Sequence, residues 1–260
     1  MNWKRIIVAI ILLALTIGAF ISGGFPLALF VGAFVFVGVR ELVNIAKAHG
    51  MNPPFHFIVL SCFLLIGLTS FKLYNLLFPA FTIIAILSFL AILFRGKEAR
   101  INDVSITLLS IIYAGIFPIH IIMTRDLDVR FVIFIIFTIA ACDIAAYYIG
   151  IRFGKNPLWK EISPKKTIEG SAAGTIGGLA LALFMGNVMG LSVIQSLTIG
   201  FLIVILAQLG DLSESMLKRE VGIKDSGTVL PGHGGVLDRT DSYIFTGVVA
   251  YYYFKFFVVG

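Results

Sequence analysis

Long apolar runs separated by short polar segments dominate the chain. Each run approaches the length of about 20 residues that an α-helix needs to cross the hydrocarbon core of a bilayer. Nine runs fit this description, at residues 6–22, 25–39, 55–71, 74–94, 103–124, 131–150, 171–188, 191–210 and 240–259. They lack the alternation of apolar and polar residues that is typical of membrane β-barrels. The pattern therefore predicts an all-α, polytopic integral membrane protein with about nine transmembrane helices.

The composition agrees with this prediction. Of the 260 residues, 59% are hydrophobic and 13% are charged, whereas soluble domains carry about 25% charged residues. The mean hydropathy is +1.01. These values exclude a water-soluble fold and a disordered chain. The net charge is +6, but the 20 Lys and Arg residues form no stripe that would bind DNA, so we expect no nucleic-acid partner.

The Lys and Arg residues are distributed unevenly between the two sets of loops. Counted along nine spans, sixteen lie on the side of the N-terminus and four on the opposite side. Because basic residues concentrate in cytoplasmic loops, we expect the N-terminus and loops 151–170 and 211–239 in the cytoplasm and the C-terminus outside, in a bacterial inner (plasma) membrane. The first run could also belong to a secretory signal, but it is too long and ends in Gly-Gly, which favours a span.

Acidic residues concentrate in the second half of the chain, where nine of the 14 lie at or after Asp143. A charge inside a span costs about 2.5–3.5 kcal/mol, so a charged residue there indicates a functional site by default. Asp143 lies within the sixth span; a hydrogen bond to Tyr147 or Tyr148 is its structural alternative. This asymmetry predicts an N-terminal transmembrane scaffold in residues 1–130 and a catalytic transmembrane region in residues 131–260.

Two further features of the spans have structural explanations. Cys62 and Cys142 lie in apolar runs without metal-ligating partners at suitable spacing, so we expect buried small side chains. Gly170, Gly174 and Gly178 repeat every four residues, which predicts close helix packing.

The loop after the sixth span is strongly basic, with five Lys and Arg residues between positions 152 and 166. Ser163 and Pro164 are the residue types of an N-cap and a first helical position, so we predict that a helix begins there. The N–H groups of that helix N-terminus, with Lys165 and Lys166 beside them, would suit a phosphate. Anchoring of the loop to anionic lipid explains the same charges equally well.

The end of the eighth span begins the most polar part of the chain. If the helix continues there, Asp211, Glu214, Ser215 and Lys218 have the spacing i, i+3, i+4 and i+7 and lie on one face. This face could hold a ligand, or it could be a polar helix end with ion pairs inside the helix.

Residues 224–242 combine a glycine-rich loop with two carboxylates. Pro231, Gly232, His233, Gly234 and Gly235 are the residues of that loop. Glycines allow a backbone to approach a ligand closely. Asp238 and Asp241, three residues apart, follow at the start of the ninth span, and carboxylate pairs suit Mg²⁺, which completes its shell with water and phosphates. Carboxylates, lysines and a glycine loop at one membrane face predict phosphate chemistry on a lipid; a structural polar cap is the alternative.

The 27 residues from Ser215 to Asp241 resemble, without a gap, the signature of the CDP-diacylglycerol synthases (phosphatidate cytidylyltransferases). The matching positions are Ser215, Leu217, Lys218, Arg219, Lys224, Asp225, Gly227, Leu230, Pro231, His233, Gly234, Gly235, Val236, Asp238, Arg239, Thr240 and Asp241. Asp143–Gly150 and Ser163–Gly170 resemble an earlier family segment, except that Ile168 replaces an aromatic residue. The resemblance is specific over residues 140–245, and the first 130 residues match only as hydrophobic spans.

The resemblance implies an integral membrane enzyme, a homodimer, that converts CTP and phosphatidate to CDP-diacylglycerol and pyrophosphate in phospholipid biosynthesis. It also implies Mg²⁺, with or without a second metal ion. We hypothesise metal ligands at Asp211, Asp238 and Asp241, with Asp143 as a fourth candidate, and a catalytic role for Lys218. The expected substrate-binding residues are Lys165, Lys166, Ser215, Arg219, Lys224, His233, Gly234, Gly235 and Arg239.

Other functions fit parts of the pattern. A cytidylyltransferase for an ether-lipid phosphate would need the same polar residues, because the lipid tails lie in an apolar groove that many side chains could form. A transporter of a phosphorylated substrate is a weaker alternative, since we find no internal repeat of the kind that such proteins often show. A CDP-alcohol phosphotransferase is disfavoured because its Asp-Gly-x-x-Ala-Arg motif is missing.

Overall fold

The computed structural model describes residues 14–229 and 234–260, and almost all of its regular structure is helical. Residues 14–22 form a helix. The helices that follow are α1 (Gly24–Ala48), α2 (Phe55–Ser70), α3 (Leu77–Leu93), α4 (Ile101–Ile111), α5 (Phe117–Leu127), α6 (Val129–Phe153), α7 (Ile168–Val188), α8 (Val193–Glu220) and α9 (Leu237–Phe254). Two short strands, β1 (Pro157–Trp159) and β2 (Ser163–Thr167), separate α6 from α7.

Seven helices in the described part of the chain are long and apolar enough to cross a membrane. They coincide with the second and with the fourth to ninth predicted runs; α4 and α5 form one of them, joined by a π-helical turn at Ile112–Ile116. The third run is the shorter apolar helix α2. The first run, 6–22, lies partly outside the described residues. The all-α membrane class is confirmed, and the count of nine spans stays a prediction.

The chain divides into two compact units. One contains the described part of Met1–Met123 together with Glu220–Arg239, and the other contains Thr124–Arg219 together with Thr240–Gly260. The apolar core of the first unit includes Val39, Leu42, Ile58, Leu65 and Ile111. In the second unit the core side chains include Phe134, Ile139, Ile199, Ile203 and Phe254, which are almost fully buried. Because lipid tails are as apolar as these side chains, their van der Waals packing, and not their removal from water, stabilises each unit within a membrane.

Helices α6 and α7 pack closely along the predicted glycine stripe. A Cβ atom at Gly170 would lie 2.9 Å from the carbonyl oxygen of Ala146, and one at Gly174 would lie 2.9 Å from that of Cys142. Real Cβ atoms do not approach oxygen so closely, so these positions require glycine. The packing prediction is confirmed. Cys142 and Cys62 are buried free thiols, as expected.

The segment between α6 and α7 corrects one prediction. Ser163 and Pro164 do not begin a helix; they lie on β2, which pairs antiparallel with β1. Helix α7 begins at Ile168, and Thr167 is its N-cap, with Oγ1 accepting the Gly170 N–H at 3.1 Å. A Ser-Pro pair and a threonine four residues later both suit a helix start. Thr167, and not Ser163, is the N-cap because strand pairing holds residues 163–167 extended.

Candidate active site

Three carboxylates share one electrostatic environment in the second unit: Asp143 on α6, Asp211 on α8 and Asp241 on α9. The charge of Asp211 acts on both of the others. We call Asp143, Asp211 and Asp241 the carboxylate cluster. Asp241 is 8% exposed, and its Oδ1 accepts the N–H of Ser242 at 2.7 Å. Because like charges repel strongly where water is scarce, such a cluster needs cations beside it.

Lys166 supplies one cation to the carboxylate cluster. Its Nζ forms an ion pair with Oδ2 of Asp211, and its charge also acts on Asp143 and Asp241. Lys166 lies on β2, immediately before the N-cap Thr167. The strand, and not a helix N-terminus, therefore brings this lysine to α8. Its side chain remains 31% exposed, which leaves it accessible to an anionic substrate.

Helix α8 continues beyond the predicted eighth span and places polar side chains on one face, as predicted. Ser215 lies one turn after Asp211, with 3.4 Å between its Oγ and the Oδ1 of the aspartate. Lys218 and Glu214 form a buried ion pair within the helix. The charge of Lys218 also acts on Asp241. Intrahelical pairing thus accounts for Glu214, while Lys218 adds a second cation to the environment of the cluster.

Gly210 allows α9 to approach α8 closely. A Cβ atom there would lie 3.2 Å from the carbonyl carbon of Asp241 and 3.6 Å from the Cα of Ser242. The absence of a side chain at Gly210 therefore brings the backbone of Asp241 against α8, and the next residue along α8 is Asp211. The pair Gly210-Asp211 therefore has a geometric reason. Gly210 permits the close contact of α8 with α9, and Asp211 supplies a carboxylate.

Two sets of contacts hold the hairpin formed by β1 and β2 in place. The Nε of Arg219, near the end of α8, donates to the carbonyl oxygen of Ile162 at 3.2 Å. At the other end of the hairpin, the carboxylate of Glu169 accepts the backbone N–H groups of Lys155 and Asn156 at 3.1 and 3.3 Å. Arg219 therefore has a structural contact in addition to the substrate-binding role expected of it.

A buried glutamate organises the loop before α9 in the first unit. Glu41 on α1 is 3% exposed. Its Oε1 accepts the N–H of Val236 at 3.0 Å, and its Oε2 accepts the N–H of Leu237 and the hydroxyl of Ser226, both at 2.9 Å. One side chain thus holds both sides of the loop that carries the family-like signature. A residue of the predicted scaffold therefore shapes the signature loop.

Two glycines of the signature make room for Glu41. A Cβ atom at Gly235 would lie 2.6 Å from Oε2 of Glu41, and one at Gly227 would lie 3.0 Å from its Cδ. Any larger residue would displace the carboxylate from the backbone groups that it accepts. The glycines in this loop therefore serve an internal contact, in addition to any approach of a ligand.

Asp238 closes the same loop. Its Oδ2 accepts the N–H of Gly235 at 2.8 Å and the N–H of Ser226 at 3.0 Å. Gly234 has a φ of +86°, a conformation that glycine adopts without strain. Asp238 lies in the first unit, whereas the carboxylate cluster lies in the second, so its role as a metal ligand stays a prediction.

The other predicted site residues are exposed, lie beside Glu41 or fall outside the described residues. Lys165, Lys224 and Arg239 are exposed, and Gly235 is buried beside Glu41. His233 lies outside the described residues. Tyr147 and Tyr148, the alternative partners for Asp143, are 63% and 68% exposed.

The cluster suits a hard cation that shares its shell with other ligands. In the described part of the chain, no group of three or more His, Cys, Asp and Glu side chains is arranged to hold a metal by itself. Mg²⁺ requires fewer, since it usually takes one or two carboxylates and completes its octahedron with water and substrate phosphates. Asp211 and Asp241 match that donor set.

Comparison with known proteins gives the family. The model of a family described as the cytidylyltransferase family matches residues 3–257. This chain belongs to that family. It is 34% identical to a phosphatidate cytidylyltransferase of Synechocystis over 290 residues, which cover 97% of this chain and 96% of that protein. It is 32% identical to the phosphatidate cytidylyltransferase of Bacillus subtilis over 262 residues, with 96% of each chain covered.

A plant protein extends the similarity. This cytidylyltransferase is 31% identical to phosphatidate cytidylyltransferase 4, chloroplastic, of Arabidopsis thaliana over 271 residues, covering 90% of this chain and 68% of that protein. The resemblance drawn from residues 140–245 is confirmed. The match also extends to the first half of the chain, which had resembled the family only through its apolar runs.

The sequence did not point to Glu41, which holds the signature loop. A single acidic residue in the long apolar helix α1 is the same signal that drew attention to Asp143. The predicted apolar run 25–39 ends before Arg40 and Glu41, so the sequence pattern does not place Glu41 within a span. The helix in fact continues to Ala48, which places Glu41 inside it.

Proposed function

We propose that this protein is a phosphatidate cytidylyltransferase, which condenses CTP with phosphatidate to give CDP-diacylglycerol and pyrophosphate. The observation that carries the proposal is the site itself: Lys166 pairs with Asp211 and both charges act on Asp241, within residues 140–245, where the resemblance to the family is specific. Curated relatives with 31–34% identity bear the name of this activity. A transporter is not favoured, because the polar residues gather around helix ends and loops and no internal repeat accompanies them.

The reaction requires charge neutralisation more than proton transfer. A phosphate monoester has a second pKa near 6, so the phosphate of phosphatidate is largely dianionic at neutral pH and is already a nucleophile. Its oxygen attacks the α-phosphorus of CTP, a new P–O bond forms, and the bond from the α-phosphorus to the bridging oxygen of pyrophosphate breaks. The protein must hold two polyanions in line for this displacement.

The cationic side chains beside the carboxylate cluster suit the first task, which is to bring the two anionic substrates together. Lys166 is partly exposed beside Asp211 and can exchange that carboxylate for a phosphate. Lys218 is positioned by Glu214 and adds a charge at the same place. Lys165, Arg219, Lys224 and Arg239 are the further side chains that we assign to substrate phosphates.

Asp211 and Asp241 are the residues that would hold Mg²⁺, with Asp143 and Asp238 as additional candidates. When bound, the metal would stabilise charge on the transferred phosphoryl group and on the leaving pyrophosphate. The protein's own contribution is to keep Asp241 buried and Asp211 accessible, with Lys166 balancing their charge until substrate arrives. Whether a second metal ion joins the first is left to metal titration.

The loop held by Glu41 carries further residues that we assign to substrate. Asp238 accepts the backbone N–H groups of Ser226 and Gly235, and the hydroxyl of Ser226 donates to Glu41, so the described parts of the loop are held next to the start of α9. We assign His233, Gly234 and Gly235 to the nucleotide, and Ser215 to the polar face of α8 that substrate contacts. His233 needs no role as a general base.

We further propose that the site faces the cytoplasm, where CTP is available, and that the protein is a homodimer. The first proposal rests on the excess of Lys and Arg in loops 151–170 and 211–239 and their neighbours. Cysteine labelling tests it: a membrane-impermeant thiol reagent should label Lys72→Cys, in the loop before the fourth run, but not Lys160→Cys in intact cells. The dimer rests on the family resemblance, and sedimentation in detergent tests it.

The test of function is pyrophosphate release by the detergent-purified full chain. Release should require CTP, phosphatidate and Mg²⁺ together, and EDTA should stop it. An ether-lipid phosphate in place of phosphatidate distinguishes the two lipid classes. The Lys160→Gln variant, altered at an exposed hairpin lysine, serves as the matched control for site variants. Folded protein that releases no pyrophosphate with either lipid would refute the proposal.

A further inference from the structure

The proposed reaction leaves unexplained a cavity of about 560 Å³ at the ends of three helices in the first unit. It lies between the C-terminal part of α1, the N-terminus of α2 and the residues after α3. The lining side chains include Arg40, Lys47 and Arg95. None of the described residues that line it is acidic. No step of the proposed reaction uses this cavity.

The cavity is a built feature, because a hydrogen-bonded network fixes one wall. Arg95 Nη1 donates to the carbonyl oxygen of Asn52 at 2.6 Å and lies 3.5 Å from the carboxylate of Asp103. Asp103, which is 2% exposed, in turn accepts the N–H of Asn52 at 2.7 Å. The buried carboxylate balances Arg95 from behind the wall. Arg40 and Lys47 are exposed and add two positive charges at the cavity.

An apolar stripe leads from this cavity along α1. Phe25, Leu29, Phe36, Arg40 and Lys47 follow one another at spacings of four or seven residues, which places them on one face of the helix. Phe25, Leu29 and Phe36 are exposed large apolar side chains. The face therefore changes from apolar to cationic along a transmembrane helix. An anionic phospholipid is complementary to it, because its acyl chains are apolar and its headgroup carries negative charge.

We propose that this cavity binds the phosphate of an anionic phospholipid headgroup, with the acyl chains lying along the apolar stripe of α1. Basic pockets between transmembrane helices are typical sites for such headgroups. The N-terminus of α2 at Phe55 and His56 also lines the cavity, and its N–H groups favour an anion. None of the residues lining this cavity is among those that we assign to CTP, phosphatidate or Mg²⁺, so the lipid proposal does not depend on the enzymatic one.

The test is lipid binding to the detergent-purified full chain, measured by native mass spectrometry with phosphatidylglycerol, which is not a substrate of the proposed reaction. The variant Arg40→Gln/Lys47→Gln should bind this lipid roughly 30-fold more weakly, since each basic side chain near an anionic surface contributes about 1 kcal/mol and 1.4 kcal/mol is tenfold. The control Lys97→Gln/Arg100→Gln removes two exposed charges outside the cavity and should bind as the wild type does.

Two further arms identify the ligand. Zwitterionic phosphatidylcholine should bind wild type and the double variant equally, and millimolar inorganic phosphate should not displace phosphatidylglycerol. Displacement by phosphate would reassign the cavity to a soluble anion and overturn the lipid proposal, as would equal phosphatidylglycerol binding by the variant and its control. If the double variant does not fold, Lys47→Gln alone, at the exposed end of α1, should lose about fivefold in affinity.

Discussion

At the scale of single residues, Glu41 is the side chain whose loss should be most informative. It accepts three hydrogen bonds from the loop of residues 226–237. Glu41→Gln preserves its volume but turns an NH₂ group toward donors, which leaves at least one buried donor without an acceptor and costs about 1–3 kcal/mol. We expect a lower unfolding temperature and a rise in KM for CTP, because the loop loses its shape.

Glu98→Gln is the matched control for this prediction, since Glu98 is an exposed acidic residue. The unfolding temperature in detergent and the separate kcat and KM values are the measurements. A purely structural role would lower the unfolding temperature while leaving KM for CTP unchanged in the protein that stays folded. Equal behaviour of Glu41→Gln and Glu98→Gln would contradict both parts of the prediction.

The ion pair of Lys166 and Asp211 gives a second prediction at this scale. Each side chain neutralises the other before substrate binds, and each has a different proposed role once it has bound. Asp211→Asn and Lys166→Gln should each lower kcat/KM at least 100-fold, since about 2.7 kcal/mol of charge stabilisation is removed at a phosphoryl-transfer site. The double variant should lose much less than the product of the two losses, because the partners act as a unit.

Pyrophosphate release by the two single variants, the double variant and Lys160→Gln measures this coupling. Independent, multiplicative losses would show that the two side chains do not cooperate in the reaction. Wild-type turnover by Asp211→Asn would remove Asp211 from the proposed metal site altogether.

At the scale of elements, the contact of α6 with α7 depends on glycine. A Cβ atom at Gly178 would lie 3.3 Å from the carbonyl oxygen of Thr138 and 3.3 Å from the Cβ of Cys142, and it would also meet Val204. We expect Gly178→Ala to destabilise the protein by about 1–3 kcal/mol through overpacking. Thermal unfolding in detergent measures the change.

Gly67 provides the control, because a Cβ atom there would meet nothing within 4 Å in the described part of the chain. It lies inside α2, where alanine is favoured over glycine by about 1 kcal/mol, so Gly67→Ala should leave stability unchanged or raise it. A decrease of the same size in both variants would mean that helix propensity or lipid contact, and not the α6–α7 packing, governs the result.

The elements also show what sequence patterns can and cannot predict. Apolar runs located the long helices, and the spacing of Asp211 to Lys218 correctly predicted that α8 continues, since both depend on local periodicity. The start of α7 was predicted wrongly because Ser163 and Thr167 both suit an N-cap, and only the pairing of β1 with β2 decides between them. The contacts of Glu41 could not be predicted from local patterns, because its partners lie more than 180 residues away in the sequence.

At the scale of the whole molecule, binding of metal and nucleotide should be coupled. In the described residues two neighbouring carboxylates, and no complete ligand cage, are available for Mg²⁺, and Asp211 is engaged by Lys166. Mg²⁺ alone should therefore bind weakly, and CTP alone should be repelled by the carboxylate charge that Lys166 does not neutralise. Together the phosphates complete the metal shell while the metal neutralises Asp211 and Asp241, so each ligand should raise the affinity for the other, as linkage requires.

This coupling is measurable as stability. A ligand at 100 times its Kd adds about 2.7 kcal/mol to the free energy of unfolding, so Mg²⁺ and CTP together should raise the unfolding temperature by a few degrees. Either one alone should change it much less, and Asp211→Asn should abolish the joint effect while Lys160→Gln keeps it. A full shift with CTP in EDTA would mean that lysines alone hold the nucleotide. A full shift with Mg²⁺ alone would mean that the chain carries a complete metal site without substrate.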